Sequence, residues 1–529
     1  MTQVTQLDRT VEGVGGVTYA KVLAKQANFS YNALGEWTTI ARTESGTYAV
    51  NLTTANYAAN GSPQDVFTGR YEYDALGRNT KSLGKRESQT GQPVVNTLTY
   101  AFDALNRITS LTSVDGTTVH AYDGAGQLVL ADHTALGGKV LPADENYTHD
   151  LNGNRTQVSR GAGVKTVENA LQNRVYRDGE YEYTYDDEGR RIKRAKLVSG
   201  APTVEREEYS YDVRGRQVLA KIYNASGIKT FEVAYEFDAF DRRTARIEST
   251  FSGGAVTSVT TERFVYDGTD VVLDLRGTGA TLALAEANLA VKTRYLWAEH
   301  ERAGETSLLL AQENVTAAPV VAEVLWSFID HQSTVRDLVR LNYSGGVYSL
   351  YASAHYQFDS FGKFFTGKEN GVTVTAPTFT RYTFTSQEYD KLLKTYYYDA
   401  RMYDPNSGKF LIGDPLGFGG GQWNVTMYTG NDPVNYTDPS GNEFVSVETD
   451  ADGYSNSVFW NVEADGTLGD PNTNYHHLGY QDDAGNIHLG ASWGGGTVLL
   501  AELQSAADKF WNNRADMSGR DDENQRQVI

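Results

Sequence analysis

Three of the nine histidines, His476, His477 and His488, fall close together beside Asp482 and Asp483. Imidazoles and carboxylates grouped in this way can bind a divalent metal or move protons. Adjacent histidines on a strand point to opposite faces, so only one of His476 and His477 can join His488, and ordinary polar strand residues would show the same spacing. A second group, between Tyr389 and Gly441, is four aspartates each followed by proline, Asp404, Asp414, Asp432 and Asp438. Asp-Pro pairs mark turns, with aspartate at the first corner and proline at the second. Two of them run on to glycine at the fourth position, Asp414-Pro415-Leu416-Gly417 and Asp438-Pro439-Ser440-Gly441. Spacing along the chain does not say whether these carboxylates meet. The chain has no cysteine, which removes disulfides, thiolate metal sites and cysteine nucleophiles but leaves the compartment open. The glycine-rich "GASWGGGTVLL" lacks the Gly-Lys-Ser/Thr ending of a phosphate loop and reads as a turn. No motif implies a metal or a cofactor.

The elements that must position these residues are strands. Among 529 residues there are 34 Tyr and 52 Gly but only 11 Pro, a composition biased towards strands and turns and long enough for a large core. The formal charge of −20 argues against nucleic-acid binding by the body of the protein. The opening "MTQVTQLDRTVEG" has no signal-peptide pattern, and the most apolar stretch, "TLALAEANLAV", is too short to span a membrane and is broken by Glu286. Export by another route, or a place at the rear of a longer gene product, is the expectation.

A pattern repeats from Phe29 to Tyr356: "FSYNALGEW", "YEYDALGRNTKSL", "YAFDALNRI", "AYDGAGQL", "YTHDLNGNR", "YTYDDEGRRI", "YSYDVRGRQV", "YEFDAFDRRT", "FVYDGTDVV" and "YQFDSFGKF". In Tyr71-Glu72-Tyr73 aromatics alternate with a polar residue, the period of a strand with one face buried. Asp74 then suits the first position of a turn, Gly77 supplies the positive φ that closes it, and Arg78 begins the return strand. Asn106 and Asp241 fill the glycine slot in two units, and these residue types tolerate the left-handed region best among non-glycines. Each unit reads as a hairpin whose Tyr and Asp are packing and turn residues. Such hairpins bury a face only by stacking, so the expected fold is all-β: a spiral strip of antiparallel hairpins forming a hollow shell, open or partial because nine or ten units are few for a sealed container.

These units resemble the tyrosine-aspartate repeats of the Rhs/YD-repeat family, which includes bacterial Rhs proteins, C subunits of insecticidal toxin complexes and animal teneurins. The segment "YDKLLKTYYYDARMYDPNSGKFLIGDPLGFGGGQWNVTMYTGNDPVNYTDPSG" is similar to the Rhs-associated core that ends the shell in that family, and "RYLWAEH" and "VLWSFIDHQSTVRDLV" resemble segments that precede it. The resemblance implies a leader over 1–17, a repeat shell over 18–365, a core over 366–441 and a variable domain over 442–529. It also implies that Asp414 and Asp438 form an intramolecular aspartic protease that cuts near Gly441 and Asn442. Two carboxylates held together cannot both ionise, so one serves as acid while the other activates water. Two positions depart from the family pattern: Asn442 stands where an apolar residue is common, and Lys409 stands where an arginine is usual. In the second case a planar fork is replaced by a point charge in any role orienting a carboxylate.

After Gly441 the repeats stop, and 88 residues carry 15 acidic and 4 basic side chains, a net of −11 that leaves −9 for the rest. The pattern predicts a small α+β extension: strands in "EFVSVETDADG", "SNSVFWNVEADG" and "NIHLGASW", a helix over 498–516, and a disordered end from about residue 518. Its acidity argues against a nucleic-acid-degrading cargo. The leading expectation is a secreted or surface shell that encapsulates or presents this segment and releases it by self-cleavage, with an immunity protein as a candidate partner. The alternatives are an adhesive YD-repeat protein facing a cell-surface or carbohydrate target with nothing cut, and a tail that is itself a hydrolase. No membrane span is expected.

Overall fold

The computed structural model describes residues 3–6, 25–33, 36–44, 64–86, 94–161, 163–298, 307–317, 320–344, 347–420, 422 and 424–442, and beyond these only strands at 445–446, 457–460, 476–481, 486–489 and 497–499. Twelve strands from Gln3–Gln6 to Gly163–Thr166 form one sheet, and seventeen from Glu168–Asn169 to Val372–Val374 form a second. Every strand pairs antiparallel with its neighbours in sequence, and the first strand of each sheet does not pair with the last. The architecture is thus an open, all-β hairpin strip, as the repeats lead one to expect.

The hairpin chemistry explains both the turns and their stacking. The Asp74 N–H donates to Arg78 O at 3.0 Å, and Gly77 N–H donates to Asp74 O at 3.1 Å. The carboxylate does the rest: Oδ1 accepts the N–H groups of Leu76 and Arg78 at 2.9 and 3.1 Å, and Oδ2 accepts Arg78 Nε at 2.7 Å. The fourth turn position has φ of +78° at Gly77, +64° at Asn106 and +64° at Asp241, the conformation the sequence pattern requires. Each turn arginine then lies over an aromatic of the next hairpin, Arg78 over Phe102 at 4.6 Å and Arg107 over Tyr122 at 4.7 Å. The Tyr122 hydroxyl returns the contact by donating to Ile108 O at 2.7 Å, and Tyr211 does the same to Arg191 O at 2.7 Å. The unit at Phe264 differs. Asp267 pairs directly with Asp270, leaving the two-residue turn Gly268-Thr269, because its glycine follows the aspartate at once.

The segment from Thr378 to Gly441 crosses this strip as a strap, and one series of its contacts meets the hairpins in descending order, while others return to the hairpins near residues 331–335 and 361–362. Asn314 Nδ2 donates to Phe379 O at 3.1 Å, Arg381 pairs with Asp274 at 2.9 Å, and Arg246 with Asp390 at 2.9 Å. Arg194 donates to Leu393 O at 3.1 Å, and Arg191 pairs with Asp404 at 2.7 Å. Beyond Asp404, Asn431 Nδ2 donates to Gly153 O at 2.7 Å and Asn435 Oδ1 accepts the Ile108 N–H at 2.8 Å. One apolar cluster joins both sheets and the strap, from Ile40 and Leu98 through Trp326 and Tyr356 to Tyr396, Tyr403 and Tyr428. The two sheets also touch directly: Lys25 pairs with Glu313 at 2.6 Å, and both side chains are buried.

Helix is scarce among the described residues. The one α-helix, Leu282–Ala287, lies in the apolar stretch broken by Glu286 and is capped by Thr281, whose hydroxyl accepts the Leu284 N–H. The helix expected over 498–516 needs correction at its start, where Val498 and Leu499 belong to the strand Thr497–Leu499. β-Branched Thr497 and Val498 at a sheet edge favour that pairing, with Val498 opposite Ile487. The remainder of that helix and the end from about 518 lie outside the described residues.

His355 joins the sheets at a second seam. It contacts Asp337 Oδ1 through Nδ1 at 2.7 Å and Asp115 Oδ2 through Nε2 at 2.8 Å, with Lys139 3.7 Å from Asp115 and Arg336 also near that carboxylate. Burial works against its charge, but the two carboxylates raise its pKa to about 9. The folded value lies above the unfolded one, so the stabilisation is complete below about pH 6.5 and is lost as pH rises through about 9. Thermal melts should therefore show His355→Gln less stable than wild type at pH 6, with the gap closing by pH 9.5. A gap independent of pH would show that the seam does not depend on the imidazolium.

Candidate functional site

The four Asp-Pro aspartates between Tyr389 and Gly441 separate by partner. Asp404 is buried against Arg191, and its Oδ2 also accepts the Ser407 hydroxyl at 3.0 Å. Asp432 holds Asn435 Nδ2 with both oxygens at 2.9 and 2.8 Å, and burial pushes its pKa up to about 7. Asp404 fastens the strap to the strip, and Asp432 holds Asn435, whose own contacts to Ile108 and Tyr122 do the same. Asp414 and Asp438, the aspartates of the two DPxG turns, instead converge on one side chain, Arg401.

Arg401 opens the strand Arg401–Asp404, in which all four residues are buried, and its guanidinium lies 3.6 Å above the Phe410 ring. Its terminal NH2 nitrogen is 2.9 Å from Asp414 Oδ2 and 3.0 Å from Asp438 Oδ2. Two oxygens so close to one nitrogen lie within about 6 Å of each other. The other nitrogens donate to backbone: NH1 to Val425 O at 3.1 Å, and Nε to the carbonyl of Gly441. One buried guanidinium thus gathers both carboxylates and the peptide that follows the second turn.

The turns are built to present these groups. Asp414 spends Oδ1 on the Leu416 N–H at 2.8 Å and keeps Oδ2 for Arg401. Burial raises its pKa above the ordinary carboxylate value, with Arg401 and the Leu416 N–H opposing. Burial likewise lowers Arg401, with Asp438 and Asp414 opposing. Asp438 is fully buried. The carbonyls after it are each held, Pro439 O by Gln387 Nε2 at 2.8 Å, Ser440 O by Ala400 N–H at 3.1 Å and Gly441 O by Arg401. Gly441 has φ of +71°, and an added Cβ would lie 2.2 Å from Tyr398 O, so only glycine fits. Asn442 N–H reaches Ser440 Oγ at 3.3 Å.

The other sequence candidates lie elsewhere. Lys409 Nζ donates to Asn154 Oδ1 and Asn173 O, each at 2.8 Å, and Arg401 is the cation that bridges the two aspartates. Arg401 escaped the sequence reading. Its one signal was an arginine inside "TYYYDARMYD", a run apolar enough to be buried on both faces, where a cation requires carboxylate partners. In the tail, His488 pairs with Tyr480. His476 and His477 stand four and three residues before that partner, roughly 10–13 Å along the strand. Asp482 and Asp483 lie outside the described residues. Among the described residues no group of three or more histidines and carboxylates is arranged to hold a metal ion.

The fold is that of a YD-repeat shell carrying a core strap. The family model described as Teneurin YD-shell matches residues 19–254, within the hairpin strip, in keeping with the resemblance of the repeats to the Rhs/YD-repeat family. Two curated relatives are double-stranded DNA deaminase toxin A of Burkholderia cenocepacia (strain H111), 26% identical over 72% of this chain, and the tRNA3(Ser)-specific nuclease WapA of Bacillus spizizenii, 25% identical over 64%. The alignments span 25% and 12% of those proteins. Two solved structures share the fold, the TcdB2-TccC3 complex at 16% identity and the Photorhabdus luminescens Tc holotoxin pore at 17%. Each has a TM-score of 0.53, and each match covers 80% of this chain and 21% or 20% of the other.

Replacing Arg401 with glutamine leaves two buried carboxylates without a cation, a loss of about 3–5 kcal/mol where both are ionised. Without the guanidinium their folded pKa values rise above the unfolded ones, so the penalty is full at neutral pH and shrinks as pH falls and the carboxyls take up protons. Denaturation of Arg401→Gln at pH 7.5 and pH 4.5 should show the larger deficit at pH 7.5. Equal deficits would mean that Arg401 acts through packing on Phe410 alone.

Proposed function

We infer that this chain is the shell portion of a toxin-like protein that houses or presents the segment after Gly441 and releases it by cutting its own backbone within a few residues of that glycine. One observation carries the reading: Arg401 holds Asp414, Asp438 and the Gly441 carbonyl at once. In this arrangement Asp414, whose pKa burial raises, is the carboxyl that takes up a proton and hands it to the departing amine. Asp438 takes a proton from the attacking water. The guanidinium on the Gly441 oxygen supplies the positive charge that a developing oxyanion requires. The position after the core, where the repeats stop and the chain turns strongly acidic, suits a cargo boundary.

The relatives support the class. One curated relative is named a double-stranded DNA deaminase toxin and the other a tRNA-specific nuclease, and one of the solved assemblies is a holotoxin pore. This chain would act outside the cell that makes it, carry its own C-terminal segment as cargo and call for an immunity partner where that cargo is toxic. No helix among the described residues is long and apolar enough to cross a membrane.

Denaturing electrophoresis and intact mass should show two pieces divided within a few residues of Gly441, which stay together under native conditions. Asp414→Asn and Asp438→Asn keep size and turn hydrogen bonding but remove the titratable group, and each should leave the chain whole. Asp432→Asn should still cut, because Asp432 serves Asn435 and not Arg401. A wild-type chain that stays full length, or aspartate variants cut as fast as wild type, would replace this reading with an uncut adhesive shell.

A further inference from the structure

Lys409 presents a problem that the proposed cleavage does not solve. Its side chain is buried, and its Nζ is surrounded by neutral oxygens: Asn154 Oδ1 at 2.8 Å, Asn173 O at 2.8 Å, Asn424 Oδ1 at 3.4 Å and Thr426 Oγ1 at 3.5 Å. Among the described residues no carboxylate lies within ion-pair distance of it. An ammonium buried without a counter-ion is costly and tends to shed its proton. Burial, with Arg155 and Arg191 adding to it and Asp150 opposing, brings this amine down to about 7. A large share of it is therefore a free amine at neutral pH, and a free lysine amine is a nucleophile.

The group it faces is held like an electrophile. Asn154 is 2% exposed and occupies the slot that five other units fill with arginine, Arg78, Arg107, Arg190, Arg216 and Arg242. Its Oδ1 accepts from Lys409 Nζ and from Asn424 Nδ2, both at 2.8 Å, so Asn424 still polarises the amide carbonyl when Nζ turns its lone pair to the carbon. Its Nδ2 donates to Asp150 Oδ2 at 3.0 Å and to Asn173 Oδ1 at 2.9 Å. A carboxylate thus sits on the nitrogen that would depart. With Nζ 2.8 Å from the oxygen, and a C=O bond of about 1.2 Å, the amide carbon is at most about 4 Å from Nζ, near the range of a reactive contact.

We propose that Lys409 and Asn154 form an intramolecular isopeptide bond that joins the core strap to the fifth repeat hairpin. The Nζ lone pair adds to Cγ of Asn154, and the Nζ–Cγ bond forms. The proton that Nζ sheds passes to Nδ2, which Asp150 Oδ2 holds by its hydrogen bond at 3.0 Å. The Cγ–Nδ2 bond then breaks and ammonia leaves. The step consumes no oxidant and no second substrate, and the chain becomes lighter by one ammonia, about 17 Da. The bond closes a span of 255 residues, restricting the unfolded chain as a long-loop disulfide does. Both residues precede Gly441, so the staple stays within the shell piece and its existence is independent of the cut.

The test is intact mass and peptide mapping of the purified full chain, incubated at neutral pH until its mass is constant. The expected result is a chain, or an N-terminal piece if cleavage occurs, about 17 Da below its sequence mass. Trypsin should release a branched peptide joining residues 140–155 to the segment that begins at Met402, uncut at Lys409. Lys409→Arg and Asn154→Ala should each restore the full mass and the linear peptides, and Asp150→Asn should slow the loss of ammonia. Wild-type protein at its sequence mass overturns the proposal. So does a loss of the same size with only linear peptides, the result of succinimide formation at Asn152-Gly153.

Discussion

Buried ion pairs between the strap and the strip set the curvature on which everything else depends. A meander of antiparallel hairpins can coil over a range of radii, because each hairpin touches only its neighbours. The strap removes that freedom by presenting a carboxylate or cation to one hairpin after another: Arg381 to Asp274, Asp390 to Arg246 and Asp404 to Arg191. Such pairs add little net stability, since desolvation offsets much of the attraction, but a misplaced partner leaves a bare charge in the core. Their effect is specificity: one register of strap against strip satisfies them all, and shifted registers satisfy almost none. The apolar cluster running from Ile40 to Tyr428 then packs in that register.

The repeat was legible in the sequence because its chemistry is local. An aspartate that accepts the N–H groups two and four residues on, a fourth position with positive φ and an arginine returning to the carboxylate all lie within five residues, as Asp74 to Arg78 shows. The strap's contacts were not legible, for the opposite reason. Arg190 and Arg191 are adjacent and identical in type. Yet Arg190 closes its own turn on Asp186 at 2.7 Å, while Arg191 points into the core and meets Asp404, 213 residues later. Strand alternation assigns the two arginines to opposite faces but does not say what covers the inner one. The start of the tail helix failed on a similar point, because Val498 and Leu499 fit a helical stripe as well as a strand and pairing decided between them.

At the site, the aspartates were recognisable by motif and their cation was not. Lys409 drew attention because it departs from a family pattern, yet its amine faces asparagines, and Arg401 performs the bridging. The distance between Arg401 and Asp438 is 37 residues in sequence and 3.0 Å in space. That closeness comes from the short antiparallel sheet in which Tyr398 pairs with Arg401, and from the Ser440 carbonyl, which accepts the Ala400 N–H beside it. No periodicity records such a return of the chain.

The same groups make the turns and would carry the chemistry, and this orders events during folding. Arg401 is held by a strand whose neighbour donates through Tyr396 OH to Gly362 O, and Tyr403 OH donates to Phe361 O, so the strand bearing Arg401 rests on a late hairpin of the second sheet. Val425, which accepts from both Arg401 and Asp414, follows Asn424, which is fastened to Asn154 of the first sheet. The guanidinium can therefore gather Asp414, Asp438 and Gly441 only after both sheets have met the strap. Contacts this distant in sequence form late, because loop closure must be completed before they contribute. A backbone cut that needs this cluster would follow completion of the shell, and a chain with an unfinished shell would keep its tail attached.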